Sequence, residues 1–295
     1  MNPRRRPAIR AAAAATNLGN NTMANAFTKY SRLAACAAAL LTAAVAPAMA
    51  QAPAAPVLVG PAPVPPDSDE QRIADLVTAN RILAQHGVLD GFGHISVRSL
   101  KNPKHFYMAR SRAPAIVSRE DILEFDENSQ PVGGTNRELY NERYIHGEIF
   151  CARPDVQAVA HSHSYEVLPF TVADVPLKAL VHVGYFLGTK GAPKFDLEDV
   201  EGPRNGMLVI TPTSGAALAK TLGKESIVLM RGHGFTAAGE NIRDVVFKAV
   251  YTQISANIEN EALELGTPLG MNEFEVMRTE RVARQWELWV TNIKK

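Results

Sequence analysis

The chain has 295 residues with 31 basic and 30 acidic side chains, which gives a formal net charge of +1. Residues 1–50 carry six of the basic side chains and no acidic one, so the remaining 245 residues have 25 basic against 30 acidic side chains. That balance leaves no basic excess that would argue for nucleic-acid binding.

Residues 1–22 come first and are rich in arginine and alanine. Because they lack acidic side chains and any apolar periodicity, we expect them to be a non-native or disordered extension ahead of the true start.

Residues 23–50 follow with a different pattern. A positive stretch contains Lys29 and Arg32, an apolar run comes next, and Ala-Met-Ala precedes Gln51. This is typical of a secretory signal peptide. The apolar run is shorter than the roughly 20 residues that cross a bilayer. We therefore expect a signal peptide beginning at Met23 and cleaved after Ala50, with a membrane anchor or a mitochondrial presequence as alternatives. A periplasmic or secreted protein without a membrane attachment is expected.

Six prolines crowd residues 51–66, which predicts an extended proline-rich linker. Residues 67–295 are then expected to form one domain, since about 200 residues suffice for a single well-buried core.

Apolar spacing, capping residues and glycines predict alternating helices and strands within this domain. Helices are expected at 69–85, 138–152, 213–222, 242–265 and 273–293. Strands are expected at 91–98, 105–110, 156–161, 208–211 and 227–230, with a helical turn and a strand inside 120–132 and a hairpin or turn at 234–241. The irregular alternation predicts an α/β sandwich with a mixed or antiparallel sheet.

Two histidines end one predicted strand. His161 and His163 are two residues apart, so both side chains point to the same face of the strand. Two imidazoles at that spacing can bind one metal ion if a further ligand arrives from elsewhere. Taken alone, the pair is better explained by two surface or hydrogen-bonded histidines.

Two other residues could complete a set of ligands for a metal ion together with His161 and His163. His233 lies between glycines immediately after an apolar strand, and Glu142 lies in the predicted helix that precedes His161. Three imidazoles with one carboxylate are a common set of ligands for a divalent metal. The alternative for His233 is a histidine that caps the following turn.

The segment NERYIHGEIFCARPDVQAVAHSH, followed by RGHGF, resembles the class II aldolase/adducin family over roughly residues 70–265. This resemblance implies an α/β fold, a class II aldolase-like three-layer α/β/α sandwich around a central mixed, mostly antiparallel sheet. It also implies a homo-oligomer, expected to be a tetramer, because active sites of the family lie at subunit contacts.

The resemblance implies that His161, His163 and His233 are metal ligands. Glu142 would be a fourth ligand that can leave the metal and act as a catalytic general acid and base, while the metal acts as a Lewis acid and stabilises an enediolate. Zinc is expected, with manganese or iron as alternatives. His146, one helical turn from Glu142, is expected to support the ligands by hydrogen bonding, the alternative being a ligand role.

The chain departs from the sugar-phosphate enzymes of this family at their phosphate-binding turns. Gly93-His94-Ile95-Ser96 stands where those enzymes have G-N-x-S, and Tyr140-Asn141 stands where they have two serines. The small residues with which backbone amides surround a phosphate are therefore mostly missing, and a phosphorylated sugar is not the expected substrate.

Larger and cationic side chains replace them. The substrate-binding candidates are His94, Ser96, Arg110, Arg112, Tyr140 and Asn141. Because arginine binds a carboxylate through two parallel hydrogen bonds, we expect a carboxylic acid, although both arginines could be solvated loop charges. The pattern resembles a branch of the family described as decarboxylases of hydroxylated aromatic acids. His182, near where family aldolases place a tyrosine acid, is a catalytic candidate for protonating the carbanion, or else a buried hydrogen-bonded histidine.

The combined expectation is a divalent-metal-dependent carbon–carbon lyase that cleaves or decarboxylates a hydroxylated carboxylic acid, with aromatic acids as one option. Three alternatives stay open: an aldolase acting on a small sugar-like substrate, an iron(II) oxygenase, and a non-catalytic adducin-like interaction module.

Overall fold

The computed structural model describes residues 67–277 and 282–293. The expected extension at 1–22, the signal peptide at 23–50 and the linker at 51–66 lie outside the described residues and stay predictions.

The helices are α1 (Asp69–Gln85), α2 (Arg143–Ala152), α3 (Leu168–Val172), α4 (Glu198–Glu201), α5 (Pro212–Leu222), α6 (Ile242–Leu265) and α7 (Val282–Ile293). The strands are β1 (His94–Arg98), β2 (Phe106–Ala109), β3 (Ile122–Phe125), β4 (Ala158–Ser162), β5 (Lys194–Phe195), β6 (Ile227–Met230) and β7 (Gly234–Gly239). Short 3-10 helices cover Pro114–Ile116, Arg119–Asp121 and His182–Leu187. Each helix of the described part is too short or too polar to cross a bilayer.

Within the described residues, the seven strands form one sheet in the order β3-β2-β1-β4-β7-β6-β5. The pairings are antiparallel except for the parallel pair β5–β6. At the centre, His161 of β4 pairs with His94 of β1 on one side and with Thr236 of β7 on the other. This register brings segments that are distant in sequence to one end of β4.

Side chains on the two faces of the sheet enter two separate apolar cores. On β4, Ala158 and Ala160 belong to the core that also contains residues of α1, α6 and α7, whereas Val159 belongs to the core shared with α2 and α5. Because strand side chains alternate between faces, the helices cover both sides of the sheet. The expected three-layer α/β/α sandwich with a mixed, mostly antiparallel sheet is confirmed.

The helices whose starts were predicted correctly each have a capping residue at the N-terminus. Ser68 Oγ accepts the Gln71 N–H at 3.1 Å at the start of α1, and Thr211 Oγ1 accepts the Ser214 N–H at 3.1 Å at the start of α5. Asn241 caps α6 in the same way.

Several expected boundaries were wrong. Helix α2 begins at Arg143 instead of 138, and α7 begins at Val282 instead of 273. The segment 208–211 is not a strand but part of a loop that leads into α5. The segment 234–241 contains β7, which forms a hairpin with β6.

Candidate metal centre and adjoining cavity

Four side chains from separate elements converge at the end of β4. Glu142 immediately precedes α2, His161 lies in β4, His163 follows β4, and His233 lies in the turn between β6 and β7. One ligand atom from each lies within 4.8 Å of the others. The structure therefore brings together the four residues that the sequence suggested as ligands.

The three imidazoles face one another through the same ring atom. His161 Nε2 lies 3.1 Å from His163 Nε2 and 3.2 Å from His233 Nε2, and the last two atoms lie 2.9 Å apart. Three ring nitrogens this close repel one another unless a proton or a cation lies between them.

Backbone carbonyls determine which nitrogens carry the protons. His161 Nδ1 lies 3.1 Å from the Phe235 carbonyl oxygen, and His233 Nδ1 lies 2.5 Å from the Met207 carbonyl oxygen. A carbonyl only accepts hydrogen bonds, so each Nδ1 is the donor and each Nε2 presents a lone pair to the centre. This arrangement is typical of histidines that bind metal, whose second nitrogen donates to a fixed acceptor.

Glu142 completes the set. Its Oε2 lies 3.4 Å from His233 Nε2 and 3.7 Å from His161 Nε2, while its Oε1 accepts the Val209 N–H at 3.0 Å. Three neutral imidazoles and one carboxylate oxygen fit zinc, manganese or iron(II). The residues present are thus suited to hold a divalent metal.

Burial and neighbouring charges keep two of the histidines ready for a metal. Burial lowers the pKa of His161 and of His163, so both rings are neutral near pH 7. Burial also acts to lower the pKa of His233, but the hydrogen bond and charge of Glu142, together with the Met207 carbonyl, raise it overall. His233 is therefore the ligand at which protons compete most strongly with a metal.

A buried polar chain lies beside the four ligands. His94 Nδ1 lies 2.7 Å from His146 Nε2, and His146 Nδ1 lies 2.6 Å from Ser96 Oγ. The His94 ring also packs 5.1 Å from the ring of His161, centroid to centroid. The His146 side chain thus contacts His94 and Ser96 directly, and His94 in turn packs against the ligand His161.

A cavity of about 420 Å³ adjoins the centre. Two of the proposed ligands, Glu142 and His163, form part of its wall. Its other lining residues are Gly91, Phe92, Gly93, His94, Ser111, Arg112, Ala113, Leu139, Tyr140, Asn141 and Leu208. Four of the expected substrate-binding residues, His94, Arg112, Tyr140 and Asn141, are therefore at the cavity.

The two candidate arginines differ in their surroundings. Arg110 Nε donates to Asp121 Oδ1 at 2.8 Å, and Arg110 is absent from the cavity wall within the described residues. Arg112 Nε lies 3.7 Å from Asp121 Oδ2 and has no hydrogen-bond partner among the described residues. Of the pair, only Arg112 lines the cavity, and its side chain is 39% exposed there, although its Nε is buried within ion-pair distance of Asp121.

Two further candidates lie away from the cavity. Ser96 is fully buried because its strand position places it under His146. His182 begins the 3-10 helix His182–Leu187 and is exposed, since that helix instead turns Val183, Tyr185 and Phe186 towards the core beside α6. The structure brings neither side chain to the described cavity, and His182 is exposed in the single chain.

The sequence reading missed several cavity residues. Phe92 is 69% exposed, and its ring lies 6.3 Å from that of His163. Leu139 and Leu208 add apolar wall. Phe92 was assigned to the expected strand at 91–98, whereas that strand begins at His94 and leaves Phe92 in the loop before it.

Comparisons with known proteins agree with this geometry. The sequence profile of the Class II Aldolase and Adducin N-terminal domain matches residues 74–259. A Talaromyces stipitatus protein named Decarboxylase tropJ is 34% identical over 250 residues, which cover 75% of this chain and 94% of that protein. A 3,4-dihydroxyphthalate decarboxylase of Arthrobacter keyseri is 29% identical, covering 66% of this chain and 79% of the relative.

Solved structures share the fold. An aldolase II superfamily protein from Pseudomonas syringae superimposes with a TM-score of 0.64 at 20% identity, covering 78% of this chain and 94% of that one. An L-fuculose 1-phosphate aldolase from Glaciozyma antarctica gives 0.64 at 22% identity, covering 79% and 93%. The family match and the decarboxylase relatives make the protein an enzyme, a lyase of the decarboxylase or aldolase type. The chain belongs to the class II aldolase and adducin family, in its decarboxylase-like branch.

Proposed function

We propose that this enzyme decarboxylates a hydroxylated aromatic carboxylic acid with the help of a divalent metal, expected to be zinc. One observation carries the proposal. The cavity that is lined by the proposed ligands Glu142 and His163 is also lined by Arg112, a cation whose side chain is 39% exposed. A metal ligand set and a carboxylate-binding group therefore share one space.

Arg112 is the proposed carboxylate-binding residue. Its guanidinium offers planar donors that match the two oxygens of a carboxylate. Tyr140 donates its hydroxyl hydrogen to the Arg112 carbonyl oxygen and packs its ring 4.6 Å from that of His94. Tyr140 therefore fixes the backbone from which the Arg112 side chain extends.

The walls favour a flat, apolar substrate. Phe92, Leu139, Tyr140 and Leu208 contribute apolar surface around the polar groups. An aromatic ring can pack on such side chains, with its centroid about 4.5–7 Å from that of an aromatic wall residue. The names of the two relatives described above support the same substrate class. Both are named as decarboxylases, and the Arthrobacter keyseri enzyme is named for 3,4-dihydroxyphthalate.

The chemistry needs an electron sink and a proton. A bound divalent metal supplies Lewis acidity towards a hydroxyl oxygen of the substrate. As the bond to the carboxylate breaks, its electron pair stays on the ring, carbon dioxide leaves, and the ring carbon takes up one proton. Glu142, whose Oε2 faces the cluster and whose side chain lines the cavity, is the proposed group that exchanges this proton.

The test is carbon dioxide release from a panel of hydroxybenzoate-type acids. Wild type is compared with His161→Ala and with His105→Gln, a control histidine that pairs with Glu124 Oε1 at 2.8 Å outside the ligand set. We expect release by wild type and His105→Gln, and none by His161→Ala. No release from any acid, together with aldehyde formation from a hydroxy-ketone, would favour the aldolase alternative.

The proposal includes export and self-association. The signal-peptide pattern at 23–50 supports a periplasmic or secreted enzyme, and the family resemblance supports a homo-oligomer, expected to be a tetramer. N-terminal sequencing of the protein recovered from the native host should begin at Gln51. Sedimentation of the purified enzyme should give four chains per particle.

A further inference from the structure

The loop between α4 and α5 contacts two of the four proposed ligands through its backbone. The Val209 N–H donates to Glu142 Oε1 at 3.0 Å, and the Met207 carbonyl accepts from His233 Nδ1 at 2.5 Å. These bonds involve Glu142 Oε1 and His233 Nδ1. The other donor atom of each side chain, Glu142 Oε2 and His233 Nε2, therefore faces the centre of the cluster. The path of the backbone from Met207 to Val209 therefore orients both ligands.

That path is unusual for its sequence. Met207 has φ of 62°, in the left-handed region that residues with a side chain seldom adopt. Such a conformation persists only when the surroundings impose it. Gly202 and Gly206 have φ of 75° and 64°, which are unstrained for glycine, so the strain falls on Met207.

One side chain bonds both sides of this strained turn. Asn205 Oδ1 accepts the Met207 N–H at 2.8 Å, and Asn205 Nδ2 donates to the Gly202 carbonyl oxygen at 2.6 Å. Asparagine commonly fixes a turn by binding the backbone two residues further on. Asn205 therefore ties the start of the loop to the residue that contacts His233.

The Met207 side chain contributes a second contact to the same ligand. A Cβ atom added to Gly232, the residue before His233, would lie 2.6 Å from Met207 Cε. The loop therefore packs against the backbone of the β6–β7 turn as well as bonding to the imidazole. A displacement of Met207 would disturb both contacts at once.

We infer that Asn205 is a positioning residue for the metal. It holds the loop in the conformation that aims His233 and Glu142 at the ion, and its hydrogen bonds within the described residues go to the backbone of Gly202 and Met207. The inference rests on the metal site of the proposed function. Groups that orient metal ligands typically contribute 10- to 100-fold, as an order of magnitude, to metal affinity. We expect a loss of about that size when the Asn205 side chain is removed.

The experiment is a zinc titration of the metal-stripped, full-length protein against a chromophoric chelator. Asn205→Ala should bind zinc about 10- to 100-fold more weakly than wild type. Asn205→Asp, which keeps an oxygen for the Met207 N–H, should recover most of the affinity. Asn272→Ala is the matched control, because Asn272 Oδ1 accepts the Phe274 N–H at 3.0 Å in a turn outside the ligand set. It should bind zinc like wild type.

Thermal unfolding of the metal-free variants separates a folding defect from a change in affinity. Should Asn205→Ala not fold, Asn205→Ser takes its place and must bind zinc more weakly than the control. Zinc affinity equal to wild type in the folded Asn205 variant would overturn the positioning role while leaving the metal site intact. Failure of wild type itself to bind zinc would overturn the metal site and, with it, this inference.

Discussion

His94 Nδ1 and His146 Nε2 lie 2.7 Å apart in the buried layer between β1 and α2. With the contact from His146 to Ser96 at 2.6 Å, both nitrogens of the His146 ring are occupied. Burial lowers the pKa of His146 to about 3, so the ring is neutral wherever a histidine of the unfolded chain titrates.

This pair leads to a pH prediction. Between pH 6.5 and about 3 the unfolded chain binds a proton at His146 and the native chain does not, so the free energy of unfolding falls as the pH falls. One such histidine contributes at most about 1.4 kcal/mol per pH unit. Urea unfolding of metal-free wild type and His146→Gln should give a shallower pH dependence for the variant. Equal slopes would show that the ring becomes protonated in the native state.

Zinc should stabilise the folded protein. At about 100 times its dissociation constant a ligand adds roughly 2.7 kcal/mol, which for a domain of this size raises the melting temperature by about 5–10 °C. His163→Ala should lose most of this rise because it lacks one of the convergent nitrogens. Differential scanning calorimetry with and without zinc measures it, with His105→Gln expected to behave as wild type. A full rise in His163→Ala would place the zinc elsewhere.

Substitution of Arg112 should affect substrate binding, whereas substitution of Arg110 should affect the free energy of unfolding. Arg112→Ala should lower kcat/KM for a carboxylate substrate by about 10- to 100-fold, because a hydrogen bond to a charged group contributes about 1.5–3 kcal/mol. Arg110→Ala should leave kcat/KM nearly unchanged and lower the free energy of unfolding by about 1 kcal/mol, since it removes a partly exposed pair with Asp121. Kinetics and urea unfolding of both variants test this. The opposite assignment would make Arg110 the carboxylate-binding residue.

Two glycines around Phe92 should respond differently to alanine. Gly93 has φ of 77°, and a Cβ there would lie 2.7 Å from Leu89 Cδ2 and 2.9 Å from the His161 carbonyl oxygen. We expect Gly93→Ala to lower the free energy of unfolding by about 1–3 kcal/mol and to weaken zinc binding by shifting β4.

Gly91→Ala is the matched control for that substitution, because nothing lies within 4 Å of the Cβ it would add. Thermal unfolding and zinc titration of the two variants measure the difference. Similar behaviour of both would mean that the loop adjusts at no cost and that Gly93 does not constrain β4.

The sequence predicted correctly the helices whose first residue is set by a capping side chain next to it in the chain. Helices α1, α5 and α6 each begin with a residue that caps its own first turn, so neighbouring letters carry the information. The short elements α3, α4 and β5 were missed, because two to five residues leave too little periodicity to recognise. The start of α2 was misplaced for the opposite reason, since good helix formers precede Arg143 without forming a helix.

The prediction of a strand at 208–211 was wrong because this segment contacts the proposed metal ligands. Its apolar residues satisfy a strand pattern, but backbone groups of this loop bond to side chains of the ligand set instead of to another strand. Contacts made by backbone atoms do not depend on residue type, so the sequence could not predict that this loop orients the ligands. The convergence of His161 with His233 also required the register between β4 and β7, which residue types alone did not determine.

The ligands come from three separate stretches of a chain segment that runs from position 142 to position 233. A cation held by all of them ties the start of α2, the end of β4 and the β6–β7 hairpin together, much as a covalent cross-link closes long loops. Truncated chains that end before the hairpin keep His161 and His163 but lack His233, so they have no complete ligand set. Ion capture is thus coupled to the pairing of β7 with β4 at the centre of the sheet, and a tightly loaded chain is one whose central strands have assembled.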